Sequence, residues 1–113
     1  MKRENFRGAI IGLAVGDALG ATTEFMNEKD IKEEYGVLKD IVGGGWLDLQ
    51  PGEITDDTEM TICVANGILE NPEDPINSIG KHFLQWLKSN PKDVGTTTRC
   101  ALYSYKGDWE EAS

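Results

Sequence analysis

Three glycines spaced four residues apart, Gly8, Gly12 and Gly16, run through the first apolar stretch of the chain. Around them Phe6, Ile10, Leu13 and Asp17 recur at spacings of four, three and four, a helical period, with Ala14 and Ala18 alongside. The stretch from about Glu4 to Leu19 is therefore predicted to be an α-helix, with Gly20 ending it just past the last turn. A glycine inside a helix costs about 1 kcal/mol relative to alanine. Three in register imply a smooth ridge that another helix approaches closely. The apolar stripe also carries a carboxylate. Asp17 in that position must be hydrogen-bonded, paired or near a cation.

The remaining segments also read as helices joined by loops. A short helix is predicted over Asp30 to Tyr35, broken by Gly36. Gly43-Gly44-Gly45 before Trp46 excludes regular structure, and Pro51-Gly52 signals a turn. A helix starting after Thr55 runs to about Leu69, with Ile62, Ala65, Ile68 and Leu69 on one face, and Asn71-Pro72 stops it. Asp74 as N-cap and Pro75 at the first helical position open the next helix, whose stripe is Ile76, Ile79, Phe83, Trp86 and Leu87. A last helix opens near Gly95 or Thr96 and carries Ala101, Leu102 and Tyr105. No segment alternates with period two, so the predicted class is all-α, in a single domain spanning residues 1–113.

The net charge of −9, from 20 acidic and 11 basic residues, argues against nucleic acid as a partner, because neutralising phosphates takes clustered Lys and Arg. Apolar residues make up 39%, and the three Trp, three Tyr and three Phe are expected to nucleate the core. No apolar run approaches the roughly 20 residues of a membrane span, and no signal peptide is visible, so a cytoplasmic protein without a membrane partner is expected. Cys63 and Cys100 lack Cys-x-x-Cys spacing and read as small buried hydrophobes in a reducing compartment. His82 is the only histidine, on the polar side of its helix, and reads as a solvated surface residue. Without it no Ser-His-Asp or Cys-His constellation exists, which argues against nucleophilic hydrolase chemistry.

Carboxylates remain. Thr55-Asp56-Asp57-Thr58 stands at the mouth of a helix, just after the glycine-rich loop. A hydroxyl and two adjacent carboxylates are hard oxygen donors, suited to Mg²⁺, Mn²⁺ or Ca²⁺ and poorly suited to Zn²⁺. The same residues also suffice as a plain helix start, since Thr is a good N-cap and Asp is favoured in a first turn. Glu24 and Asp93 each stand at an element end, where a side chain can face a cleft.

In collinear order, Arg7-Gly8-Ala9-Ile10-Ile11-Gly12-Leu13-Ala14-Val15-Gly16-Asp17-Ala18-Leu19-Gly20, Glu24-Phe25, Gly43-Gly44-Gly45 and Pro51-Gly52-Glu53-Ile54-Thr55-Asp56-Asp57-Thr58-Glu59-Met60 resemble the ADP-ribosylglycohydrolase family, with a weaker match at Asp93-Val94-Gly95-Thr96-Thr97. The resemblance implies the N-terminal part of that family's helical bundle, with a two-metal centre of Mg²⁺ or Mn²⁺. Thr55, Asp56 and Asp57 match its N-terminal metal ligands. Glu24 matches the acid beside the metals, and Asp93 one lining the ADP-ribose cleft. Gly43, Gly44 and Gly45 lie where backbone would approach the ligand. The implied reaction is hydrolysis of the glycosidic bond between ADP-ribose and a modified protein or small molecule.

Family members are longer and bring a second metal-ligand cluster, Asp-x-Asp-Thr/Ser, near their C-terminus. The resemblance therefore implies that this chain carries only half of the site. The expectations that follow are weak or absent catalysis by the chain alone, and self-association or a complementing partner. A catalytically inactive module binding ADP-ribose or a partner is the alternative, and a helical protein whose Thr55, Asp56 and Asp57 only cap a helix is a third.

Overall fold

The computed structural model describes residues 1–109, which form helices and loops and fall into two units, residues 1–58 and 59 onward. The elements are α1 (Arg3–Gly20), a 3₁₀ turn (Ala21–Thr23), α2 (Glu28–Glu34), α3 (Asp56–Glu70), α4 (Pro75–Lys88) and α5 (Thr96–Tyr103). Among the described residues no single helix is long and apolar enough to cross a membrane. The all-α expectation holds, and each predicted helix is present.

In the first unit Gly20 is the last residue of α1 and not a left-handed cap beyond it. That glycine keeps right-handed angles (φ −69°, ψ −31°), and the chain tightens directly into the 3₁₀ turn. Asn27 opens α2, its side-chain oxygen accepting the Asp30 N–H at 2.9 Å. Between α2 and α3 the chain makes a small closed loop. Gly44 and Leu49 exchange two backbone hydrogen bonds of 2.7 and 3.0 Å, and Leu49 is buried beneath them. The interior of this unit is small and partly polar: Ala18, Ala21, Thr22, Leu49, Thr55 and Thr58.

The apolar stripe of α1 is largely exposed. Phe6 is 60% and Ile11 62% exposed, Ile10 and Leu13 are exposed too, and a Cβ built on Gly8, Gly12 or Gly16 would meet nothing within 4 Å. With no neighbour at the ridge among the described residues, the glycines only weaken the helix. Gly12→Ala should therefore raise stability by about 0.5–1 kcal/mol in a thermal melt. A loss instead would show that the ridge is packed in solution.

In the second unit α3 and α4 run antiparallel in close contact, and they do so on a face the apolar pattern did not indicate. Gly67 faces the backbone of Ile79, where an added Cβ would lie 2.6 Å from the Ile79 Cα. One turn back the Cys63 thiol reaches the carbonyl of His82 at 3.6 Å, and one turn further Glu59 accepts the Trp86 indole N–H at 2.6 Å. Small residues decide the face, because they let two backbones approach. Ile62, Ile68 and Leu69, which the periodicity placed on one face, are exposed.

Three further expectations are corrected. Cys100 is exposed, and the buried apolar set of Ala18, Ala21, Leu49, Cys63 and Leu102 contains no aromatic ring. His82 is partly buried and paired with Glu70 at 3.0 Å, a contact that α3–α4 packing creates. Cys63 is buried as expected. Burial, with the Glu59 charge adding to it, pushes its thiol pKa up, so it stays protonated and unreactive.

Candidate functional site

The N-terminus of α3 is where the first unit concentrates its polar contacts. A helix start presents N–H groups without intrahelical partners and the positive end of the helix dipole. Asp17, three residues before the end of α1, supplies the anion. Its Oδ2 accepts the Thr55 N–H at 2.9 Å, the Thr58 N–H at 3.3 Å and the Thr58 hydroxyl at 2.5 Å, while Oδ1 accepts the Thr55 hydroxyl at 2.6 Å. Burial alone would raise the Asp17 pKa, but these four hydrogen bonds outweigh it and hold the carboxyl below its usual 3.8. The demand that an apolar-stripe carboxylate find partners is met by Thr55 and Thr58 rather than by a basic residue.

That arrangement places Asp56 and Asp57 in the first turn beside a third carboxylate. Burial raises the Asp57 pKa, and the carboxylates of Asp56, Asp17 and Glu24 raise it further. The Thr55 hydroxyl has committed its proton to Asp17 and accepts the Asp57 N–H at a long 3.4 Å, so a second lone pair remains for another partner.

Glu24 follows the 3₁₀ turn and is reached by the glycine-rich loop. Thr22, 1% exposed, donates its hydroxyl to the Gly43 carbonyl at 2.9 Å. Gly43 and Gly45 both adopt left-handed backbone (φ +70°), and neither has room for a side chain. Gly43 abuts the Leu49 carbonyl, and a Cβ on Gly45 would sit 2.6 Å from the Ala21 carbonyl oxygen. These two glycines thus approach the chain's own backbone, while Gly44 (φ +76°) has nothing within 4 Å of its Cβ direction. The docked loop delivers Trp46, whose indole N–H donates to Glu24 Oε2 at 2.9 Å.

Of the residues singled out in the sequence, Glu24, Gly43, Gly44, Gly45, Thr55, Asp56 and Asp57 all belong to the first unit, while Asp93 is carried by the second, partly buried before α5. Sequence reasoning missed Thr58 and Trp46. Thr58 repeats the Thr55 side chain three residues on, one helical turn later, which is the available signal for its sharing a partner. Trp46 had none beyond following the glycines.

The donors fit a hard divalent cation in kind. Thr55, Asp56 and Asp57 offer oxygen only, beside carboxylates that repel one another. They do not form a complete cage: among the described residues no three His, Cys, Asp or Glu side chains converge as metal ligands do. The second unit offers a groove of about 320 Å³ lined by Met60, Phe83, Thr98, Leu102 and Trp109, without a titratable group.

The family model for ADP-ribosylglycohydrolase matches residues 1–113. The chain is 48% identical over 98 residues to ADP-ribosyl-[dinitrogen reductase] glycohydrolase of Rhodospirillum rubrum, covering 87% of this chain and 33% of that protein. It is 39% identical over 106 residues to ADP-ribosylarginine hydrolase Tri1 of Serratia proteamaculans, covering 88% of this chain and 28% of that one. A solved ADP-ribosylglycohydrolase-related protein complex superposes with a TM-score of 0.73 at 36% identity, over 90% of this chain and 33% of its counterpart. The chain thus spans about a third of the length of these relatives. On the family match along its length and the shared fold, the chain belongs to the ADP-ribosylglycohydrolase family.

Proposed function

We propose that this chain carries the N-terminal half of a divalent-metal-dependent site that hydrolyses the glycosidic bond between ADP-ribose and a modified side chain. The observation that carries the reading is the crowding of carboxylates at the start of α3, where the charges of Asp56, Asp17 and Glu24 all raise the Asp57 pKa. Asp17 accepts backbone N–H groups at the same helix start. A Mg²⁺ or Mn²⁺ ion held by Thr55, Asp56 and Asp57 would relieve their repulsion. When bound it would supply Lewis-acid polarisation and orientation of the ribose hydroxyls.

Cleavage at an anomeric carbon passes through an oxocarbenium-like transition state and needs a group that moves a proton. Glu24 takes that role, with one carboxylate oxygen held by Trp46. Gly44 offers backbone to the ligand. Asp93 is assigned to ADP-ribose on the resemblance of its local motif. The names of two relatives, one acting on dinitrogen reductase and one on ADP-ribosylarginine, support an arginine-linked protein substrate.

A second reading, binding of ADP-ribose without turnover, is favoured by the incomplete donor set. Such a cation takes about six oxygens, more than these three residues supply.

Titration with Mg²⁺ or Mn²⁺ should give a saturable rise in melting temperature, worth about 2.7 kcal/mol at a hundred times the Kd. Asp56→Ala should abolish it. No shift in the parent chain would sink the metal reading. Release of ADP-ribose from an ADP-ribosylated arginine peptide separates the two functional readings: turnover supports the hydrolase, and binding without turnover supports the module.

A further inference from the structure

We propose that Trp46 is a positioning residue for Glu24, an inference that rests on the proton-transfer role given to Glu24 above. Glu24 sits exposed on the extended connection between the 3₁₀ turn and α2 (φ −56°, ψ 135°). A glutamate there has several rotatable bonds and nothing in its own segment to choose among rotamers. The Trp46 indole makes the choice. It has one N–H donor and no acceptor, so it holds a carboxylate oxygen in a single sense, here Oε2 at 2.9 Å, and leaves Oε1 for a proton or a cation. An indole does not titrate, so this restraint persists across the pH range in which a carboxylate works.

Two features show that the fold maintains this contact at a cost. The loop bearing Trp46 docks on Ala21 and Thr22 through glycines that tolerate no side chain. On the other side Phe25, next to Glu24, adopts a left-handed backbone (φ +65°) unusual for a bulky residue, and its ring meets Trp46 edge-on with centroids 5.4 Å apart. Phe25 is 82% exposed, so burial of its ring does not account for that backbone. Its placement braces the indole and turns the chain at Glu24. Strain beside a reactive group is where positioning is commonly held.

The test uses the full chain. Trp46→Phe keeps an aromatic ring beside Phe25 and removes the indole N–H with its five-membered ring. The chain has three Trp, so this variant identifies the Trp46 indole cross-peak in a ¹H–¹⁵N spectrum. Glu24→Ala should then shift that peak and speed exchange of the indole proton about two- to tenfold, the range open to one surface hydrogen bond. With an ADP-ribosylated arginine peptide and Mn²⁺, Trp46→Phe should lower kcat about three- to thirtyfold with KM unchanged. Added to Glu24→Gln, it should cause no further loss, because the two side chains act as one unit.

An indole peak indifferent to Glu24, an unchanged kcat, a rise in KM alone, or an additive double variant would each overturn the proposal. A parent chain that hydrolyses nothing overturns both this role and the hydrolase reading. A peak that still answers to Glu24 would then place the failure in the catalytic assignment and not in the hydrogen bond.

Discussion

Replacing Asp17 by Ala should destabilise the chain by about 2–4 kcal/mol, lowering the melting temperature on the order of 10 °C. The size follows from the number of groups orphaned. Two backbone N–H groups and two hydroxyls donate to this one carboxylate, and Thr55 and Thr58 are both buried. Deleting the acceptor leaves donors desolvated without partners, which costs more than the net worth of the bonds. Asp17→Asn should recover part of the loss, since an amide oxygen still accepts but carries no charge toward the α3 N-terminus.

The pH dependence has a definite sign. The folded-state pKa of Asp17 lies below 3.8, so its contribution is complete above that unfolded value and disappears as pH falls through the folded value. Asp57, raised by burial and its acidic neighbours, acts in the opposite sense: its charge costs stability above its folded pKa, and acidification removes that cost. The difference in stability between the parent chain and Asp17→Asn, followed from pH 7 to pH 3, isolates the first effect and should shrink below about pH 4. A difference constant down to pH 3 would rule out a depressed Asp17.

The second large effect is expected at Gly45. Alanine there must adopt φ near +70°, and its Cβ would lie 2.6 Å from the Ala21 carbonyl oxygen, a backbone atom that cannot turn aside. Left-handed strain of about 1–2 kcal/mol adds to an overpacking cost of about 1–3 kcal/mol. Gly45→Ala should thus cost about 2–5 kcal/mol, and by pushing the loop off Ala21 it should also release Trp46 from Glu24. Gly44→Ala provides the comparison. At φ +76° it bears the strain but meets no atom, so about 1–2 kcal/mol is expected with the Trp46–Glu24 contact intact. Equal losses at the two positions in a chemical denaturation series would show that the loop is not docked as described.

How far each conclusion could be read from the sequence depends on the range of the interaction behind it. The N-terminal signal at Asp74-Pro75 and the breaks at Gly36 and Asn71-Pro72 are local, and the helix limits lie within about three residues of expectation, inside the usual uncertainty of helix ends. Asp17 was legible as a residue needing partners, because a carboxylate on an apolar stripe is costly wherever it sits. Which partners it takes was not legible. Thr55 and Thr58 lie 38 and 41 positions away, and nothing local to either segment specifies that meeting.

The faces were read less well, for one physical reason. Apolar periodicity marks what would gain from burial, but close helix contact is set by where backbone can approach backbone. On α3 that is the line through Cys63 and Gly67, so Ile62, Ile68 and Leu69 stay outside. On α1 the glycine ridge meets nothing among the described residues.

The sequence by itself therefore determined the helical class, the element limits and the acidic residue types that suit a hard cation. It also carries the family, through motifs whose order and spacing survive without coordinates. Only the tertiary structure decided that Asp17 serves the α3 start, and that Trp46 reaches Glu24 through a loop of left-handed glycines. Each of these joins residues more than 20 positions apart by hydrogen bonds of about 3 Å. Such distances are fixed by chain path and packing, not by the pattern of any one segment.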